Sequence, residues 1–387
     1  MTSIYVLINL LFFYLGGRFF VFKSDENQVI ESKTISHFII FIALAIELYV
    51  VSNRAMVTPF RIDLFFSKVA EGLFNPADGY REKVRSIEEG VAGISNYIGL
   101  IISPVTLYFQ VYFLLNFNHQ SIFKKAFILF FYTLEISSWI AVGTNKGIVD
   151  MFLLWLVSRL ITLENKKIKL GYLFRLMSLG VIVIFVFVNS MISRIGASEN
   201  LELLERFSEN LGKFEIKTSG VYGKLDAVTR FGLTQITSYL SQGYHQLSLA
   251  LKEPPTFSYG LGSSWIQISI GKKILGDDFF DLTYIGILEK KYGISSTVSW
   301  HSMYTWLASD ISFWGVPIVF FFIGMFFNNT WKSSLATRRV STICLFFLFF
   351  QMAFYFFANN QVFSFSIIPF LIYFTWWIIG KKISVSV

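Results

Sequence analysis

Long apolar runs alternate with short charged stretches along this chain, and one long polar stretch, 193–311, interrupts the alternation. A helix needs roughly 20 mostly apolar residues to cross a hydrocarbon core. Runs near that length fall at about 3–22, 36–52, 94–117, 123–143, 147–163, 172–192, 312–328, 340–358 and 361–379, which predicts about nine membrane helices. Between 53 and 93 the pattern changes. Ile62, Phe65, Phe66, Val69 and Leu73 recur at helical spacing among charges of both signs, the signature of an amphipathic helix in the interface. Asn75-Pro76-Ala77-Asp78-Gly79 is the turn cluster that ends it.

Within the polar stretch, Ser198 to Asn210 places Leu201, Leu204 and Phe207 on one face and predicts a short surface helix. Phe231 to Leu251 predicts a second helix, stopped by Pro254-Pro255. A Gly/Ser turn follows at Tyr259-Gly260-Leu261-Gly262-Ser263-Ser264-Trp265. The stretch closes on Ser299 to Asp310, which leads into the seventh apolar run.

Basic residues orient the helices, because cytoplasmic connections carry an excess of Lys and Arg. Lys23 and Lys33 follow the first run, Lys124 and Lys125 precede the fourth, and Lys166, Lys167 and Lys169 follow the fifth. Lys332, Arg338 and Arg339 follow the seventh, and Lys381 and Lys382 the ninth. Alternate connections are thus cytoplasmic and the others, 193–311 among them, face outward. The first run lacks a basic leader and a small-residue cleavage site, so it reads as a retained helix.

Composition supports the membrane reading. Of 387 residues, 54% are hydrophobic and only 15% charged, with 45 Phe. A soluble domain has no place for that much apolar surface. The net charge of +8 fits loops facing anionic lipid, so nucleic acid is not an expected partner. The single cysteine, Cys344, excludes an internal disulfide and is expected to face lipid or to pack. No Gly-x-x-x-x-Gly-Lys loop, HExxH or cysteine pair is present, which speaks against ATP use and structural zinc.

The stretch Tyr239-Leu240-Ser241-Gln242-Gly243-Tyr244-His245-Gln246-Leu247, the Tyr259 to Gly262 turn, the Trp300-His301-Ser302-Met303-Tyr304-Thr305-Trp306 segment and Ser309-Asp310…Phe313-Trp314-Gly315 together resemble the oligosaccharide repeat-unit polymerases, the Wzy-type O-antigen polymerases of bacterial inner membranes. The helix number and Phe-rich composition resemble that family as well, while residue-level likeness is confined to about 190–315. The resemblance implies an all-α polytopic membrane protein of about 9–11 transmembrane helices with one large helical extracytoplasmic loop and a GT-C-like arrangement. Its parts would be helices over 1–192, the loop over 193–311, and helices over 312–387.

The implied activity is inverting glycosyl transfer at the outer face of the membrane. A hydroxyl of one lipid-linked repeat unit attacks the anomeric carbon of a second, and undecaprenyl pyrophosphate leaves. The implied partners are undecaprenyl-pyrophosphate-linked oligosaccharide as donor and acceptor, membrane lipid and a chain-length regulator, with no cofactor and no metal. An O-antigen ligase, or a lipid-linked glycan flippase, would share the outline.

Such a reaction needs cations for the departing pyrophosphate, a hydrogen-bond acceptor or base for the attacking hydroxyl, and aromatic platforms for sugars. Arg makes bidentate, charge-assisted bonds to phosphate, which singles out Arg194, just past the sixth run, and Arg230 at the start of the second loop helix. Their bland alternatives are a snorkelling interfacial Arg and a solvated one. A neutral imidazole can take or orient a hydroxyl proton. His245 is the first choice and His301, beside Trp300, the second, with a structural histidine the alternative for each. Tyr244 and Trp300 are candidate sugar platforms. Lys146, in an outward turn against the positive-inside bias, and Arg81 are candidate substrate contacts or ordinary surface cations.

Three carboxylate readings complete the set. Glu135, mid-helix, is expected to face a cavity or pair with a cation such as Arg159. Asp310 reads as a helix N-terminal anion. Asp277-Asp278-Phe279-Phe280-Asp281 has the look of a magnesium-binding run, but without a second such motif it reads as a solvated loop.

Overall fold

The computed structural model describes residues 1–19, 34–88, 94–163, 207–208, 212–213, 220–296 and 299–384, with the single positions 171, 178, 180, 181, 185 and 188. Among the described residues the regular structure is helical apart from a two-residue antiparallel ladder, β1 (Phe207–Ser208) with β2 (Gly212–Lys213). That ladder replaces the end of the surface helix expected over 198–210; the rest of that expectation lies outside the described residues. Contacts divide the chain into two units. One comprises 1–24, 200–332 and 348–367, and the other 25–199, 333–347 and 368–387.

The second unit holds α2 (His37–Arg54), α3 (Ile62–Phe74), α4 (Pro76–Glu88), α5 (Ile94–Asn116), α6 (Ile122–Ala141) and α7 (Lys146–Leu163). Ser36 caps α2 by accepting from the Ile39 amide at 3.3 Å. Ile40, Ala43, Leu44 and Val51 of α2 meet Phe113 of α5 and Ile128, Phe131 and Leu134 of α6 in one buried cluster. Pro104 leaves the Leu100 carbonyl without its helical donor, and the Ser103 hydroxyl takes that role at 2.6 Å. Cys344 is fully buried, so of its two expectations it packs.

The amphipathic segment is α3. It buries Phe65, and Gly72 approaches α6 so closely that a Cβ there would stand 1.9 Å from the Ile140 carbonyl oxygen. Its other face leaves Ile62, Phe66 and Leu73 exposed. Asn75 ends α3 and Pro76 opens α4, a position where a missing N–H costs a helix nothing. Lys68 ties the two by bonding Glu82 at 2.5 Å.

The first unit contains α1 (Thr2–Phe19), α8 (Ala227–Ala250), α9 (Trp265–Leu275), α10 (Tyr284–Tyr292), most of α11 (Met303–Thr337), the second half of α12 (Val340–Phe354) and α13 (Gln361–Phe365). Ile268, Phe279, Ile285 and Trp306 form a buried cluster. The seventh helix, expected from 312, begins at Met303 and bends at Ser312, whose φ of 58° is non-helical. Pro317 deprives the Phe313 carbonyl of a donor, and Tyr5 of α1 supplies one at 2.8 Å. Further along, Asn328 donates to the Gly17 carbonyl at 2.6 Å. Tyr5 thus pairs with 313 and Gly17 with 328, so α1 runs parallel to the second part of α11.

Among the described residues four helices are long and apolar enough to cross a membrane: α1, α2, α5 over Ile98–His119, and α11. The other expected spans differ from these in physical terms. The long helices α6 and α7 carry Lys124, Lys125 and Glu135, and Lys146, Asp150 and Arg159, respectively. α12 stops at Phe354, and the run 361–379 breaks at Ser366 into α13 and α14 (Ile367–Ser384). The 172–192 run lies largely outside the described residues.

Small residues let membrane helices touch. A Cβ on Gly324 would lie 1.9 Å from the Phe13 carbonyl oxygen, whereas one on Gly99 meets nothing within 4 Å. Gly324→Ala is therefore predicted to destabilise the protein by about 1–3 kcal/mol through overpacking, with Gly99→Ala neutral or better. Unfolding titrations in mixed micelles check this; equal midpoints for the two variants would refute the contact.

Candidate functional site

In the first unit three stretches of chain converge on Gly243. A Cβ there would sit 1.9 Å from the Phe357 carbonyl oxygen and 3.2 Å from the Ser302 amide nitrogen, so only glycine lets α8, the 300–306 segment and the 355–361 segment meet. Asp226 starts α8 by accepting from the Thr229 amide at 3.0 Å. Across the junction the Met303 amide donates to the Phe356 carbonyl at 3.1 Å, and Trp306 Nε1 to Asn359 Oδ1 at 3.3 Å.

The junction is buried yet polar. Ser238, Gln242 and Gln246 recur every four residues of α8 and are all buried. Gln242 accepts from the Trp300 amide at 3.5 Å, leaving its Nε2 without a hydrogen-bond partner, as are both amide atoms of Gln246. The same holds for both ring nitrogens of His301, the Tyr304 hydroxyl, Asn360 Oδ1 and Gln361 Oε1. Buried polar atoms in folded proteins are nearly always paired, so a group of them within one junction marks a site. Burial holds the His301 imidazole neutral and pushes its pKa down to about 3. At neutral pH its ring therefore offers one donor and one acceptor nitrogen.

Aromatic rings border this polar group. His301 lies edge-on to Trp306 at 6.4 Å, Trp300 edge-on to Tyr239 at 5.0 Å, and Tyr244 is 6.5 Å from Tyr304. Burial raises the Tyr244 phenol above its ordinary value, keeping it protonated. Amides, imidazole and phenols beside flat rings are suited to binding polyhydroxylated rings.

A second network anchors the junction from below the Gly/Ser turn. Asp310 accepts from Ser258 Oγ at 2.5 Å, from the Gly262 amide at 2.9 and 3.1 Å, and from Ser263 Oγ at 2.5 Å. The Ser263 carbonyl in turn accepts from Asn360 at 2.7 Å. Asp310 is therefore a turn anchor eight residues into α11 and not the expected helix N-terminal anion. The 277–281 run is a short 3-10 helix, not an open loop, with Asp281 paired to Lys290 at 2.6 Å. Among the described residues no group of three or more His, Cys, Asp or Glu could hold a metal.

The sequence candidates fall unevenly on this geometry. Tyr244, Trp300 and His301 border the junction. His245, the first choice, is exposed on α8, whereas Gln242 and Gln246 are buried. Arg230 lies in the first turns of α8, half-buried, and Arg194 lies outside the described residues. Gln242, Gln246 and Asn360 were missed. The two glutamines carried a signal in the four-residue polar spacing of α8, which is as visible in the sequence as a rare histidine; Asn360, between α12 and α13, carried none.

Lys146 and Arg81 belong to the second unit. Lys146 opens α7 and pairs with Asp150 at 2.5 Å, and Arg81 is exposed, 3.5 Å from Asp78. Lys146 also joins Arg54 and Lys83 around the Trp139 ring, at 5.5, 4.1 and 5.5 Å from its centre. Gly147 makes room, since a Cβ there would meet the indole at 2.0 Å. Glu135 pairs with Arg54 at 2.6 Å, not with Arg159, which lies over Trp155. Trp139 Nε1 also donates to Glu135, at 3.0 Å, and Arg54 donates to Ser138 Oγ at 2.7 Å.

Compared with protein-family models, with curated proteins and with solved structures, the chain matches none.

Proposed function

We propose that this chain is a membrane glycosyltransferase that polymerises undecaprenyl-pyrophosphate-linked oligosaccharide repeat units at the outer face of a bacterial inner membrane. The observation that carries this reading is the buried junction of His301, Gln242, Gln246, Tyr304 and Asn360 among aromatic rings, where the polar stretch meets the 355–361 segment. In the proposed reaction the acceptor hydroxyl attacks the donor's anomeric carbon with inversion, the carbon–oxygen bond to pyrophosphate breaks, and the hydroxyl proton is lost. His301 orients that hydroxyl through its acceptor nitrogen, and the glutamine amides bind the sugar's other hydroxyls. Arg194 and Arg230 remain the candidates for the pyrophosphate.

The test is chain extension by the reconstituted full-length protein from lipid-linked repeat units, read as a ladder on gels. His301→Ala is expected to slow extension by at least about 100-fold. His245→Ala, on the exposed face, is expected to leave it within about twofold. Normal extension by His301→Ala would refute the site. Failure of the unaltered protein to extend any lipid-linked unit, with transfer to a lipid A core instead, would turn the assignment to an O-antigen ligase.

One observation favours a second reading, a lipid-linked glycan flippase. Glu47 is fully buried in the apolar helix α2, and neither carboxyl oxygen has a hydrogen-bond partner. Its charged neighbours are Glu135 and Arg54, and intramembrane ionisable groups often mark transport paths. Proton-dependent transbilayer movement of a lipid-linked glycan, lost in Glu47→Gln with extension untouched, would establish that reading instead.

A further inference from the structure

The parallel packing of α1 on α11 ends in a groove whose chemistry differs from the rest of the apolar surface. Gly16 and Gly324 bring the two backbones together, since Cβ atoms on them would lie 1.9 Å from the Phe321 and Phe13 carbonyl oxygens. Just past this contact the helices part around a groove of about 520 Å³, walled by Phe13, Tyr14 and Phe327. Two cations, Arg18 and Lys332, line it at the polar ends of the spans, and among the described residues no carboxylate does. Arg18 is held there by Tyr14, whose hydroxyl accepts from Nε at 3.1 Å and whose ring lies 5.4 Å below the guanidinium.

An apolar track leads to these charges. Leu7, Leu11 and Tyr14 are exposed on α1 and, with Arg18, follow the four-, three- and four-residue spacing of one helix face. From Leu7 to Arg18 the helix rises about 16 Å. That is about half the roughly 30 Å hydrocarbon core, the depth of one leaflet. A molecule with an anionic head at Arg18 and Lys332 and one acyl chain along this track fills the groove without burying an unpaired charge.

We propose that this groove binds the anionic headgroup of a phospholipid from the leaflet that faces the basic connections. Positive-inside counting makes that leaflet the cytoplasmic one, because Lys332, Arg338 and Arg339 share a connection. The site is independent of the glycosyl-transfer reading and of the junction around His301. A basic residue at the membrane surface contributes about 1 kcal/mol, or about fivefold, to binding of anionic lipid.

The test is native mass spectrometry of the full-length protein in detergent, titrated separately with phosphatidylglycerol, phosphatidylcholine and inorganic phosphate. Phosphatidylglycerol is expected to bind at least tenfold tighter than phosphatidylcholine, with phosphate failing to compete at millimolar concentration. The double variant Arg18→Gln/Lys332→Gln is expected to lose about thirtyfold for phosphatidylglycerol and nothing for phosphatidylcholine, and Arg18→Lys/Lys332→Arg to retain binding. Each single Gln variant, expected to lose about fivefold, carries the test if the double variant does not fold. Equal binding of the two lipids, full competition by phosphate, or unchanged affinity in the Gln variants would each overturn the proposal.

Discussion

Replacing Arg54 by Met is expected to cost about 3 kcal/mol of stability, more than any surface charge in this chain could. Arg54 bonds Glu135 at 2.6 Å and Ser138 at 2.7 Å, and its guanidinium lies 4.1 Å from the centre of the Trp139 ring. The Glu135 side chain is 5% exposed and Arg54 20%, so the pair is shielded from water but not sealed from it. Removing one partner of a buried pair strands the other's charge and costs about 3–5 kcal/mol; the residual exposure of Arg54 places the estimate at the lower end. Glu135→Gln in the Arg54→Met background removes the stranded charge and should recover at least half the loss. A double-mutant cycle on reversible unfolding in mixed micelles measures it. If the two single losses are below about 1 kcal/mol and simply add, the pair is not the anchor of α2 on α6.

The second large effect is expected at Asp310. Asp310→Ala removes the common acceptor of the Ser258 and Ser263 hydroxyls and the Gly262 amide, of which Ser258 and Gly262 are buried. Hydrogen bonds to a charged group contribute about 1.5–3 kcal/mol, and donors left buried without a partner add a desolvation cost, so a loss of about 3–4 kcal/mol is expected. Asp310→Asn retains one acceptor oxygen and is expected to lose about half as much. The effect should also reach the junction, because the Ser263 carbonyl holds Asn360 at 2.7 Å. Chain extension is thus expected to fall further in Asp310→Ala than the folded fraction does. Activity that tracks the folded fraction exactly would show that the turn carries no information to the site.

Local periodicity made some elements readable. Ile62, Phe65 and Val69 announce α3 because a helix repeats its face every three to four residues, and Asn75-Pro76 ends it for reasons internal to those two residues. The helix at Ala227–Ala250 was equally legible, stopped before Pro254-Pro255. Hydropathy registers apolar content, while Ser366 breaks the last run by a backbone bend that composition does not express. That His301 is buried and His245 exposed was illegible for a related reason. Rarity of a residue is blind to which face of a helix it occupies, and Gly243, by admitting the Phe357 carbonyl, decides which face of α8 is inside.

What the order of residues determined by itself is therefore local and compositional: apolar helices of membrane-crossing length, an amphipathic segment, proline relief by Ser103, and a polar stretch bearing aromatics and histidines. These depend on neighbours within a few positions, where chain geometry leaves little choice. Only the tertiary structure decided that Glu135 meets Arg54, 81 residues away, that Asp310 holds a turn 48 residues before it, and that His301 rather than His245 is buried among unpartnered amides. Such pairings are set by which backbones can touch, and here glycines at 16, 243 and 324 set that, by leaving space where any side chain would collide.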